Sequence, residues 1–316
     1  MFRKIIAAAA SVIMLTAGTS FTAFAADEEK VVAVYTAADL YDITADTDKV
    51  YLRADIDLSG YDWDGIKEFS GVFYGNGNSI RNMKSDSCGL FYSLGTGAKI
   101  KDVRIENAEI ISDEKMLGGI VSYIPSTAKN VEISDCHVSG IIHTSYDNPK
   151  SSLNFCGGIV GVARPESTVI KNCASSAVVE AVFGSGGIAG LNHGSVESCV
   201  FTGRVNCSSN NHHYCNCPER ADDIHLEFMY TGKVLGGIAA VNYGSVSECV
   251  SLVSRCEDAD YSGLICGVNI RKKGILSDNR AVKLLDNVSD IDYHFSNDAN
   301  TITEKKFMKL IKTRTA

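Results

Sequence analysis

Proline is scarce, with four in 316 residues, while glycine reaches 28. That balance excludes a proline-rich or disordered linker and suits tight, repeated turns between short strands. A second long apolar run is also missing. After residues 5–17 no stretch approaches the length of a bilayer span, so no membrane-spanning helix is expected. Positive charge is in deficit: 30 Lys and Arg stand against 38 Asp and Glu, for a net charge of −8 and a pI near 5.4. Nucleic acid and anionic membrane surfaces are therefore disfavoured as partners. Catalytic signatures are lacking too. The paired carboxylates of glycoside hydrolysis cannot be assembled from the sequence, nor can a lyase-like set of calcium carboxylates beside an Arg or Lys. A Ser-His-Asp set converges only in space, and no stretch marks one. No catalytic residue is assigned.

The chain opens on a secretory signal, residues 1–26. Arg3 and Lys4 precede the short apolar run, and Ala23-Phe24-Ala25 forms a small-x-small cleavage site before Ala26. No Cys ends the run, so a lipid anchor is not expected. Residues 305–316 are basic and lack a cell-wall sorting pattern. The expected location is extracellular, with release or a loose, non-covalent hold on the cell surface.

The remaining 290 or so residues are organised by a repeat. Gly186-Gly187-Ile188-Ala189-Gly190 is preceded by Gly118-Gly119-Ile120-Val121 and Gly157-Gly158-Ile159-Val160-Gly161. It is followed by Gly236-Gly237-Ile238-Ala239 and Gly263-Leu264-Ile265-Cys266-Gly267, and Gly89-Leu90-Phe91 is a degenerate first copy. After each copy comes an aliphatic residue, two variable residues and usually Cys: Ile133 to Cys136, Ile170 to Cys173, Val196 to Cys199, Val246 to Cys249. The outer copies read Ile100 to Val103 and Leu276 to Asn279. One such unit has too little apolar surface for a core of its own, so the units must stack.

Stacked at about 4.8 Å per rung, inward positions become columns. One column is Val103, Cys136, Cys173, Cys199, Cys249 and Asn279; another is Ile120, Ile159, Ile188, Ile238 and Ile265. The glycine pairs are expected to turn corners in backbone conformations forbidden to other residues. Within the Gly-Gly-Ile-Val-Gly copies apolar and small residues run together, as where a strand packs on both sides or backbones approach closely. The spacing widens at 141–155 and 204–233, insertions expected to loop out of one face, often the binding face of such stacks. A helix is expected over 37–46 and a second over 302–311, each closing an end that would otherwise leave a sheet edge open to other chains.

These copies resemble the GLUG motif of secreted and surface bacterial proteins, which are similar to right-handed parallel β-helices. Residues 35–83 resemble the domain that precedes such repeats, through Thr36-Ala37-Ala38-Asp39-Leu40, Leu52 with Asp55-Ile56-Asp57-Leu58, and Phe69-Ser70-Gly71-Val72-Phe73 into Gly75-Asn76-Gly77-Asn78-Ser79-Ile80. Tyr74 departs from the family's usual Asp at that place. The resemblance spans about 35–285 and implies an all-β, right-handed parallel β-helix (β-solenoid) with an adhesin-like role at the bacterial exterior. The expected layout is signal peptide 1–26, N-terminal cap and first strands 27–84, β-helix repeats 85–285 and a C-terminal cap or tail 286–316, with short helical caps at both ends.

Eleven cysteines in an exported chain invite a disulfide framework. The four in one column argue otherwise, because parallel Cβ vectors about 4.8 Å apart are too wide for a bridge. A ladder of buried thiols is expected there. Cys88 and Cys156 share another column with Leu117 between them, two rungs apart and out of bridging range. Cys207 and Cys256 follow equivalent ladder cysteines and are a candidate surface pair. In the second insertion Cys207, His212, His213, Cys215 and Cys217 offer zinc ligands within about ten residues, although Cys-x-Cys is narrower than the usual spacing. The alternative is a loop stapled by one disulfide, with no cofactor. Asp55, Asp57, Asp62 and Asp64 read as strand-end carboxylates rather than a calcium loop, and Asp222 and Asp223 as a charged loop. Asn192-His193-Gly194 is matched by Asn242-Tyr243-Gly244 one copy later, so His193 reads as a turn residue and not a catalytic base.

The function expected is non-enzymatic adhesion or ligand binding, toward a host or bacterial surface glycan or protein. The contact loops are the two insertions, with Tyr146, Asn148, Tyr214, Arg220 and Tyr230 as binding candidates; Glu219 and Phe228 add to a mixture suited to a binding surface. The alternative is a polysaccharide-active enzyme, lyase or glycoside hydrolase, on the same scaffold.

Overall fold

In a computed structural model the described residues are 29–145, 154–207, 233–252, 259, 261–270, 273–281 and 300–301. They form an all-β coil in which every paired strand is parallel to its neighbour. One rung uses four sheets in turn. Val121–Ile124 belongs to a six-stranded sheet, Glu132–Ser134 to a nine-stranded sheet, His137–Thr144 to a twelve-stranded sheet and Phe155–Gly157 to a five-stranded sheet. The next rung repeats the order with Val160–Ala163, Val169–Lys171, Ala174–Ser175 and Gly184–Gly186. The nine- and twelve-stranded sheets pass without a break through the first strands, Lys49–Leu52 and Ile56–Asp57.

The inward columns are in place. Ile120 donates its N–H to the carbonyl of Ile159, Ile159 to Ile188, Ile188 to Ile238 and Ile238 to Ile265, at 2.8–3.0 Å. All five are buried, as are Cys136, Cys173, Cys199, Cys249 and Asn279. The residue just before each member of the cysteine column has a left-handed backbone: Asp102, Asp135, Asn172, Ser198, Glu248 and Asp278, with φ between 51° and 58°. Asp and Asn tolerate that region better than other side chains, so a polar residue before each Cys is the local signal for this corner.

The glycine pairs work differently from expectation. None of Gly118, Gly119, Gly157, Gly158, Gly186, Gly187, Gly236 or Gly237 has positive φ. What requires glycine is space. A Cβ on Gly187 would overlap the carbonyl oxygen of Gly237 and the ring of Phe201, and one on Gly158 would overlap the Gly187 carbonyl and the Ser175 side chain.

The N-terminal helix is also shorter than expected. It is a single turn, Ala37–Leu40, started by a capping box of Thr36 and Asp39. The chain then tightens into i→i−3 bonds at Tyr41, Asp42 and Ile43. Thr44, whose N–H bonds the Thr47 hydroxyl at 3.1 Å, gives the backbone a competing partner. The end of the core is plugged by Ala37, Leu40 and Ile43 rather than by a helical cap. Residues 302–311, the other expected cap, lie outside the described residues. Among the described residues no helix is long and apolar enough to cross a membrane.

Candidate functional site

The long connections leave the coil at one corner. Each rung passes there from the twelve-stranded to the five-stranded sheet. Some passages are short: Arg104–Ser112 runs into Met116–Gly118, and Val178–Ala181 into Gly184–Gly186. Others are long: His137–Thr144 precedes Phe155–Gly157, Arg204–Cys207 precedes Val234–Gly236, and Val250–Ser251 precedes Tyr261–Gly263. The strands that flank both insertions read from the sequence, and a third connection, therefore meet at the same edge.

The roots of these loops are fixed by hydrogen bonds. Phe155 donates its N–H to Lys115 O at 2.8 Å, Gly184 to Asn154 O at 3.1 Å and Val234 to Phe183 O at 2.7 Å. The buried Asn154 side chain accepts the Phe183 N–H at 2.9 Å, and Thr144 Oγ1 donates to Glu114 O at 2.5 Å. Ser185 Oγ donates to Asn206 O at 2.7 Å, tying the start of the second insertion to the next sheet. Phe155 and Phe183 meet edge to face at 5.4 Å. These bonds fix the places where the chain leaves and rejoins the coil.

Of the candidate contact and metal residues, Tyr146, Asn148, His212, His213, Tyr214, Cys215, Cys217, Arg220 and Tyr230 lie outside the described residues, as does Cys256. Cys207 is described: it is half-buried, pairs in register with the buried Ala181 and packs against the main core. Among the described residues no three His, Cys, Asp or Glu converge as a metal site. The carboxylates at 55 and 57 are used structurally. Asp55 accepts from Ser79 N–H and Arg81, and Asp57 from Ser59 and Asn82, whose bonds hold the Asp57 carboxyl down to about 2.

Two features elsewhere on the coil were not anticipated. A second apolar cluster, separate from the main core, unites the five- and six-stranded sheets: Phe155 and Val234 meet Val162, Leu191, Val241 and Val268, all nearly fully buried. Second, the buried Asn192 and Asn242 and the half-buried Asn269 form an amide chain. Asn192 Nδ2 donates to Asn242 Oδ1 and Asn242 Nδ2 to Asn269 Oδ1, each at 2.8 Å, and each amide also donates to a backbone carbonyl, at Gly194, Gly244 and Gly274. His193 stacks on Tyr243 with centroids 4.4 Å apart. Burial pushes the Tyr243 hydroxyl up to about 12. His193 thus occupies one place in a stacked rim, as its repeat partner implied.

Chemically, three buried thiols are quiet. Burial pushes the Cys156 and Cys173 thiols well above their ordinary range and Cys266 up to about 12; a thiol is nucleophilic only as thiolate.

No protein-family model matches the sequence, and no curated protein does. Among solved structures the coil is similar to the crystal structure of a "putative immunoglobulin A1 protease" from Bacteroides ovatus, with a TM-score of 0.61 at 19% sequence identity. The likeness covers 90% of this chain and 87% of that one. At that identity it is a likeness of fold.

Proposed function

We propose that this chain is an exported, non-enzymatic β-solenoid that binds a surface glycan or protein through loops gathered at one corner. The observation that carries this reading is the clustering of the three long connections on the edge between the twelve- and five-stranded sheets. The resemblance to GLUG-motif proteins supports an exterior role, and the signal segment supports export. The stacked rungs are the rigid scaffold, and the loops carry specificity.

The test replaces residues 206–231 by a short Gly-Ser segment, after an unchanged β-type circular dichroism spectrum confirms the coil. On glycan and host-protein arrays the parent protein is expected to bind, and the variant to lose most of that binding. Full retention by the folded variant would move the contact surface elsewhere. The named activity of the similar structure gives a second readout. Incubation with immunoglobulin A1 and with polysaccharides is expected to leave both intact, and turnover of either would replace the binding reading with an enzymatic one.

A further inference from the structure

The coil's N-terminal end is plugged in its core but leaves a strand at its edge. Among the described residues Val31–Val34 pairs on one side only, with Lys49–Leu52. In the first rung Ile56–Asp57 is likewise the last strand of its sheet. This end also exposes large apolar side chains: Val31 is 50% exposed, Tyr35 61%, Tyr41 48% and Tyr61 44%. Tyr41 and Tyr61 lie 6.4 Å apart, Tyr41 meets the buried Trp63 edge-on at 5.3 Å, and the Tyr41 hydroxyl donates to Asp62 O at 2.8 Å. The grouped Tyr41 and Tyr61 rings offer a partner a joined apolar contact area.

The charge around this patch selects its partner. Residues 35–68 hold nine Asp and Glu against Lys49, Arg53 and Lys67, so most of the chain's net −8 sits here. Several of these acids are used internally, including Asp39, Asp46, Asp55 and Asp57. Asp62 and Asp64 are exposed on either side of Trp63 and point their charge at the aromatic pair: after burial itself, the carboxylates of Asp64 and Asp62 raise the Tyr41 pKa. Tyrosine faces beside carboxylates suit Lys and Arg side chains, through cation–π and ionic attraction together.

The chain carries such a segment. Residues 302–316 contain Lys305, Lys306, Lys309, Lys312 and Arg314 against a single Glu304, interspersed with Phe307, Met308, Leu310 and Ile311. Its own N-terminal end is out of reach for most of it. From Ile56–Asp57 to Asn300–Thr301 the sheet counts eight strand spacings, or roughly 38 Å at about 4.8 Å each. Lys309 lies eight residues beyond Thr301, at most about 28 Å when fully extended.

We propose that the acidic-aromatic N-terminal end of the coil docks the basic C-terminal segment, residues 302–316, of a second copy of this chain. Such a contact is heterologous and repeats head to tail. It is independent of the long connections between the twelve- and five-stranded sheets.

The test uses the exported chain from Ala26 onward and a fluorescent synthetic peptide of residues 302–316. The peptide is expected to bind in anisotropy titrations and to weaken as salt rises. Binding should fall about tenfold in the double variant Asp62→Asn, Asp64→Asn and in Tyr61→Ser; all three positions are exposed, so the fold is retained. A peptide with its lysines changed to glutamate is expected not to bind. Sedimentation velocity should show concentration-dependent growth that is lost in the double variant. Absence of peptide binding, or equal binding to the parent and both variants, would overturn the proposal.

Discussion

Two ladders flank the nine-stranded sheet, and they solve the same problem with different chemistry. At the corner before it, Asn192, Asn242 and Asn269 bond side chain to side chain at 2.8 Å. At the corner after it, Cys136, Cys173, Cys199 and Cys249 meet through longer sulfur contacts, such as Cys199 N–H to Cys249 Sγ at 3.4 Å. Each sulfur faces the carbonyl two residues back, at Ser134, Lys171, Glu197 and Ser247, 3.2–3.3 Å away, and a carbonyl of the previous rung at 3.6–3.8 Å. The cysteine ladder is capped by Asn279, which does with an amide what sulfur does elsewhere: its Oδ1 accepts the Cys249 N–H at 2.9 Å and its Nδ2 donates to Val246 O at 2.8 Å. The difference teaches how much each corner depends on its side chain. An amide chain is a polar network that fails when one member is removed, whereas a thiol column is mostly close packing with weak S–H donors.

The largest expected effect breaks the thiol column with charge. Cys173→Asp places a carboxylate among buried neighbours and should cost ~3–5 kcal/mol at neutral pH. Cys173→Asn, which imitates Asn279, should cost no more than about 1–2 kcal/mol. Burial raises the folded-state pKa of the new carboxyl above its unfolded value of about 3.9. The aspartate variant's deficit is therefore smallest below that value and grows as pH rises toward the folded pKa. Denaturant melts of both variants at pH 4 and 7 check this; equal midpoints for Asp and Asn at pH 7 would contradict an inward Cys173.

The next effect breaks the amide chain. Asn242→Leu removes the acceptor of the buried Asn192 Nδ2 and the donor to the half-buried Asn269 Oδ1. The expected loss is ~2–3 kcal/mol, larger than for Cys173→Asn although both changes remove one rung of a ladder. A smaller loss for Asn242→Leu in the same denaturation series would erase the distinction between the two corners.

The repeat made the thiol and isoleucine columns legible, because identical residues recur at matching places and each recurrence is one rung. The amide chain was hidden in the same lines. Asn192-His193-Gly194 draws the eye to its histidine, while the residue that repeats unchanged is the asparagine. The second apolar cluster was signalled only by runs such as Gly157-Gly158-Ile159-Val160-Gly161, whose mixed apolar and small character fits packing on both sides but does not say which side chain takes which side. The glycine pairs were legible as corners; that space and not φ demands them depends on contacts across rungs, such as Gly187 with Gly237 and Phe201. The contact-loop candidates rest on composition alone, since a loop's shape is set by partners that no local pattern names.

The central claim is that the coil holds its corner cysteines as stacked, unbridged, inaccessible thiols; in the oxidising exterior proposed for this chain, disulfides would form if geometry allowed. Mass spectrometry after alkylation at pH 8, with and without denaturant and with no reductant, tests it most directly. Cys136, Cys173, Cys199 and Cys249 should remain unmodified in the native protein and all four should be alkylated as free thiols once it is unfolded. Alkylation of these residues in the folded state, or a disulfide linking any two of them, would contradict the account.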